Sequence, residues 1–183
     1  MPKSILFVTG NDRKIWQAKH VLEPYGITIE QEEVEVDEIQ HHEPEQIAIQ
    51  KARDAFAIVQ KPLVVCDHFW RFHALKGFPG GYMKDINQWF AAEDFLALMK
   101  NKKDRSVTLS ELVVYIDREQ IKSFGVEYKA KIIHEARGKG RVAGEQVTVF
   151  EGSDKTIAEH IDNGEHARPM DKSAWKLFGE WYK

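Results

Sequence analysis

The order of elements predicts an α/β fold: a mixed, twisted sheet with flanking helices and an antiparallel extension. Three observations carry this. In the first hundred residues, short apolar runs alternate with helical patterns. In the second half, two long alternating stretches flank the turn Asp117-Arg118-Glu119. With 183 residues, 43% of them apolar and 11% aromatic, the chain can bury a sizeable core. One domain over 1–183 is expected, with room for two lobes about a central cleft.

Ile5–Thr9 is an apolar, β-branched run that reads as the first buried strand. Gly10 breaks it, and Asn11 or Asp12 can cap the helix that follows. Ile15, Ala18, Val21 and Leu22 form the inner face of that helix, and Pro24 and Gly26 end it. Ile27 and Ile29, then Val34 and Val36, predict a second strand with a bulge near Glu32. An acidic, His-bearing loop covers 37–43. Pro44 opens a second helix with an apolar stripe of Ala48, Ala52, Ala55, Phe56 and Val59. Pro62–Cys66 predicts a central strand ending at Asp67, followed by a Gly- and aromatic-rich loop over Phe69–Tyr82. A third helix is expected from Lys84 to about Lys100. Ser106–Ile116 and Gln120–Lys131 predict a hairpin, and Val147–Phe150 a further strand. Short helices from Asp154 and from about Lys172 close the chain.

The charge balance narrows the function classes. Twenty-six basic residues against 29 acidic ones give a net charge of −3. A broad nucleic-acid surface needs many unbalanced cations, so no polymeric nucleic acid is expected as a partner. A small phosphate site needs only a few cations and stays open. The single Cys66 excludes an intrachain disulfide framework and fits a reducing compartment. No apolar run approaches membrane-span length, so no membrane association is expected and the location is read as cytoplasmic.

In a sheet of this class, ligands sit beyond the carboxyl ends of the strands. Thr9, Asn11 and Lys14 follow the first strand at a strand-to-helix corner, where backbone N–H groups and the helix dipole favour an anion. Glu38 follows the second strand and Asp67 ends the third. Two hard carboxylates beside a polyphosphate are the usual setting for Mg²⁺. Lys51 and Lys84 are candidates to neutralise phosphate charge from neighbouring helices. Cys66, His68 and His73, or His41 and His42, match no zinc-ligand spacing. A Cys ending a buried strand is read as inert. Phe69, Trp70, Phe72, Phe78 and Tyr82 are read first as core or lid packing, with a base-stacking role open to one or two of them.

Taken together, these residues resemble the inosine triphosphate pyrophosphatase (Ham1-like) family of nucleotide hydrolases. The resemblance is carried by Thr9-Gly10-Asn11-x-x-Lys14, Glu38-Ile39-Gln40, Lys51-Ala52-Arg53, Asp67 and Lys76-Gly77-Phe78-Pro79-Gly80-x-Tyr82. It continues through Gly152-Ser153-Asp154-Lys155-Thr156-x-Ala158-Glu159 to Phe178-x-Glu180-Trp181. It implies a Ham1-type fold, Mg²⁺ as cofactor, a homodimer, and release of diphosphate from a nucleoside triphosphate with a non-standard base. By the same resemblance Thr9, Asn11, Lys14, Lys51 and Lys84 hold the triphosphate. Glu38 and Asp67 carry the metal and the attacking water, with Asp67 and Lys14 as the catalytic pair. Three departures stand out. The family's small Asp-Ser-Gly turn, often preceded by another acid, is here Cys66-Asp67-His68-Phe69-Trp70. Its base-stacking Phe-Gly-Tyr/Trp-Asp falls on Val142-Ala143-Gly144-Glu145. Its base-reading Ser-His-Arg falls on Pro169-Met170-Asp171. A retained phosphate end with a replaced base end implies an altered base preference, with Phe69, Trp70, Glu145 and Asp171 as candidate base contacts. The alternative is a nucleotide-binding homologue with little turnover.

Overall fold

The computed structural model describes residues 3–168 and 172–183. Its strands form a mixed sheet in the order β2-β1-β3-β5-β6-β7, with a short β4 paired to β3. They are β1 (Lys3–Val8), β2 (Ile27–Glu32), β3 (Leu63–Phe72), β4 (Pro79–Gly80), β5 (Ser106–Ile116), β6 (Ile121–Ile132) and β7 (Thr148–Phe150). The helices are α1 (Asp12–Leu22), α2 (Pro44–Val59), α3 (Met83–Trp89), α4 (Ala92–Leu98), α5 (Ala143–Val147), α6 (Ile157–Asp162) and α7 (Ala174–Tyr182). β1 runs parallel to β2 and to β3, whereas β4 and β7 are antiparallel to their partners. Among the described residues, no helix is long and apolar enough to cross a membrane.

The chain divides into two compact units. The first comprises 1–68, 111–126 and 170–183. Its core is built from Phe7, Ile15, Leu22, Val64, Val113 and Trp175 with their neighbours. Strand alternation turns Val64 and Cys66 into this core, where α1 and α7 close it. The Phe7 and Trp175 rings meet edge to face at 4.7 Å. Gly179 lets α7 pack close, because a side chain there would begin 2.8 Å from Tyr25 Cδ2 and 2.9 Å from Leu22 Cδ2. The second unit comprises 69–110 and 127–169. Buried Phe72, Phe95, Met99, Leu109, Ile132 and Val149 are among its core residues.

Four expectations need correction. Val34 and Val36 lie outside β2, which stops at Glu32. The reason is its partner: the β1 register ends at Val8 opposite Glu32, so no hydrogen-bonding edge continues beyond it. β3 does not end at Asp67 but runs on to Phe72, because Trp70 and Arg71 pair with Gly80 and Pro79 of β4. The expected loop over 69–82 is therefore strand, a 3₁₀ turn and a short hairpin partner. The third helix is two helices, since Phe90 and Ala91 are extended and Asp94 accepts from the Ala91 N–H at 2.8 Å, starting a new helix. The fourth concerns α5, a five-residue helix the sequence reading omitted.

Candidate active site

The first unit assembles six of the expected residues. β1 delivers the chain to Thr9, whose N–H donates to the Glu32 carbonyl at 3.0 Å. The Thr9 hydroxyl oxygen accepts from Asn11 N–H at 3.1 Å. Asn11 caps α1: its Oδ1 accepts from Arg13 N–H at 3.0 Å and Lys14 N–H at 3.3 Å. Thr9 and Asn11 therefore shape the corner as well as lining it. The Thr9 O–H and the Asn11 side-chain NH₂ are the donor groups these bonds do not use.

Lys14, one turn into α1, reaches β3. Its Nζ donates to the Cys66 carbonyl at 2.5 Å and lies 3.4 Å from Asp67 Oδ1. Lys51, on α2, meets the same oxygen at 3.4 Å and Glu38 Oε1 at 2.6 Å. Asp67 is thus shared by two ammonium groups, and Lys51 by two carboxylates. Lys14, Lys51 and Asp67 are partly buried, whereas Glu38 is exposed. Burial by itself would lower the Lys51 pKa. The negative charge of Asp67 and the hydrogen bond to Glu38 outweigh it and hold the ammonium above its usual range. Two hard carboxylates already gathered around one cation suit a divalent metal with oxygen preference, so Glu38 and Asp67 fit Mg²⁺.

The remaining expected residues that the structure describes belong to the second unit. Lys84 is exposed in the first turn of α3, in the second unit. Phe69 and Trp70, also in that unit, are buried, so neither offers an open ring face for stacking. The continuation of β3 is what folds them inward; the Trp70 ring approaches to 3.3 Å of where a Gly144 side chain would begin. Glu145 is buried, and its Oε2 accepts from Arg141 N–H at 2.8 Å and Val142 N–H at 3.4 Å. It clamps the start of α5, so that oxygen is committed to the backbone and not to a base amine. Pro169, Met170 and Asp171 lie outside the described residues.

Glu111 is a feature that the sequence reading missed. It is fully buried on β5, beside Cys66 and His68 of β3. The signal was available: an acid leads directly into the apolar run Leu112-Val113-Val114.

Residues 5–175 match the model of the Ham1 family. The chain belongs to this family. It is 30% identical over 181 residues to the dITP/XTP pyrophosphatase of Methanopyrus kandleri, covering 98% of this chain and 96% of that protein. It is 31% identical over 180 residues to the protein of the same name from Pyrococcus horikoshii, covering 98% and 96%. The fold matches a HAM1 protein from Coxiella burnetii with a TM-score of 0.80 at 17% identity, covering 98% of both chains. It matches the Ham1 protein of Staphylococcus aureus with a TM-score of 0.76 at 19% identity, over the same share of each.

Proposed function

We propose that this Ham1-family hydrolase, a nucleoside triphosphate pyrophosphatase, cleaves the anhydride between the α- and β-phosphates with a base preference shifted away from inosine and xanthosine. The observation that carries it is the meeting of Lys14, Lys51, Glu38 and Asp67 beside the capped start of α1. Water adds to the α-phosphorus, the bond to the bridging oxygen breaks, and diphosphate leaves with the electron pair. The products are diphosphate and a nucleoside monophosphate. Asp67 accepts the proton of the attacking water and passes it to solvent. Lys14, Lys51, the Thr9 O–H and the Asn11 side-chain NH₂ bind the phosphate oxygens, so their contribution is position and charge neutralisation. By family resemblance alone, Lys84 is a further phosphate-binding cation. Mg²⁺ held by Glu38 and Asp67 would act as a Lewis acid toward the phosphate oxygens.

The altered preference rests on residue types. Val142–Glu145 lacks the family's stacking aromatics, and Pro169–Asp171 lacks its hydrogen-bonding His-Arg pair. A buried base carbonyl left without a donor costs roughly 1–3 kcal/mol, enough to reorder substrates. The test is pyrophosphate release across a panel of nucleoside triphosphates with Mg²⁺. Preference for inosine or xanthosine triphosphate over every other base would overturn the altered specificity. A second reading, nucleotide binding with little turnover, draws on Cys66 standing where the family often has an acid. It wins if nucleotides raise the melting temperature but none is hydrolysed. A homodimer is part of the proposal by family resemblance, and sedimentation would check it.

A further inference from the structure

Cys66, His68 and Glu111 place one ligand atom each within 4.8 Å of one another. Cys66 and His68 are two apart on β3 and so share the face packed by α1 and α7, while Asp67 between them points the other way. Glu111 comes from the neighbouring strand, β5. Its carboxylate is fixed in place: Oε1 accepts from Gln17 Nε2 of α1 at 2.7 Å, and Oε2 accepts from Ala174 N–H at the start of α7 at 2.8 Å. His68 Nε2 lies 3.4 Å from Oε1, which is long for a hydrogen bond between these atoms. It matches two ligands of one tetrahedral zinc, whose metal–ligand distances of about 2.0–2.2 Å set nitrogen and oxygen roughly 3.3–3.5 Å apart.

We propose that Cys66, His68 and Glu111 form a zinc-class transition-metal site, separate from the Mg²⁺ and phosphate chemistry of Glu38 and Asp67. The donor set decides the metal class. A thiolate and an imidazole select zinc-like ions and are poor ligands for Mg²⁺. Sequence spacing could not find the site, because the third ligand lies 43 residues beyond His68 and is brought in by strand pairing. Gln17 and the Ala174 N–H orient Glu111 as outer-shell partners orient metal-bound carboxylates. His68 retains 19% side-chain exposure, which gives the ion an entry path and leaves a fourth position for water. On binding, the Cys66 thiol releases its proton to solvent and the sulfur bonds the metal as thiolate. The ion then ties β3 to β5.

The test uses the full chain, stripped with chelator and titrated with Co²⁺ and then Zn²⁺. One thiolate-bound Co²⁺ per chain is expected, with a near-ultraviolet thiolate charge-transfer band and the visible bands of a tetrahedral ion, these bands being lost on adding equimolar Zn²⁺. Zn²⁺ should also raise the melting temperature. Because Cys66 is the only cysteine, that band reports this site alone. His68→Asn, at a part-exposed position that should fold, should weaken Co²⁺ binding at least tenfold. Glu38→Gln should leave the band in place. Absence of the band in the wild type, unchanged affinity in His68→Asn, or loss of the band in Glu38→Gln would each overturn the proposal. Failure here leaves Mg²⁺-dependent pyrophosphate release untouched, so the two readings fail separately.

Discussion

Asp67→Asn keeps the shape of the side chain and removes its charge. In the folded chain that charge faces Lys14 Nζ and Lys51 Nζ, each at 3.4 Å. At an effective dielectric near 20, each pair is worth about 5 kcal/mol of raw attraction. Most of this is cancelled by the cost of desolvating the ions. Each lysine also keeps another partner, the Cys66 carbonyl for Lys14 and Glu38 for Lys51. The net stability loss should therefore be about 1–2 kcal/mol, close to that of a single charged hydrogen bond. Turnover should suffer far more. Loss of a general base costs roughly 10²–10⁴-fold, about 2.7–5.5 kcal/mol of transition-state stabilisation. Without Mg²⁺, triphosphate binding should hold or tighten, because two ammonium groups lose a competing anion. Steady-state pyrophosphate release, calorimetric titration with nucleotide and urea unfolding separate the three effects. A variant within tenfold of the wild-type rate, or one whose rate loss is matched by weaker nucleotide binding, would refute the assignment of Asp67 as base.

Other outcomes follow from the same structure. Because the Lys51 pKa is raised in the fold, its stabilising contribution is complete below the ordinary lysine value of 10.5 and fades as pH climbs through the higher folded value. Urea unfolding of Lys51→Met should accordingly show a shallower loss of stability above pH 10.5 than the wild type. Tyr115 acts in the same direction, since burial and its hydrogen bond to Asp117 push its phenol up; Tyr115→Phe should flatten part of the alkaline decline. Gly140→Ala should cost about 2 kcal/mol or more in thermal unfolding, because φ is +54° and a Cβ would stand 2.8 Å from that of Ala158. Ser173→Ala should cost about 1 kcal/mol by loss of the α7 cap, where Ser173 Oγ accepts from Lys176 N–H at 3.2 Å.

Local chemistry made much of this legible. β5 spans Ser106–Ile116, as its pattern predicts, and Pro44 opens α2. Thr9 and Asn11 follow the end of β1, and Lys14 and Lys51 lie on helices, so local pattern could group them; Asp67 lies inside β3 and Glu38 in the loop after β2, and their ion pairs with Lys51 are what bring them together. What stayed hidden depended on partners distant in sequence. β2 stops where β1 stops, and β3 outlasts Asp67 because β4 receives it. The inward turn of Phe69 and Trp70 follows from that extension. Glu145 reads as a free acid in sequence and becomes a backbone clamp only once α5 forms. Glu111 gains meaning only when β5 is laid beside β3.

Lys51, held between Glu38 and Asp67, acts as a tethered counterion. The resting corner is already locally balanced, so a free metal ion meets a resident cation and a free triphosphate meets two resident anions. Either ligand alone must break a pair before it gains one. Under the proposed function, the two arriving together would exchange partners, the carboxylates turning to the metal and the lysine to the phosphates. The corner would then behave as a coincidence detector that discriminates against bare ions and admits the neutralised complex. A pyrophosphatase working among abundant free phosphates would gain selectivity from one lysine placed this way.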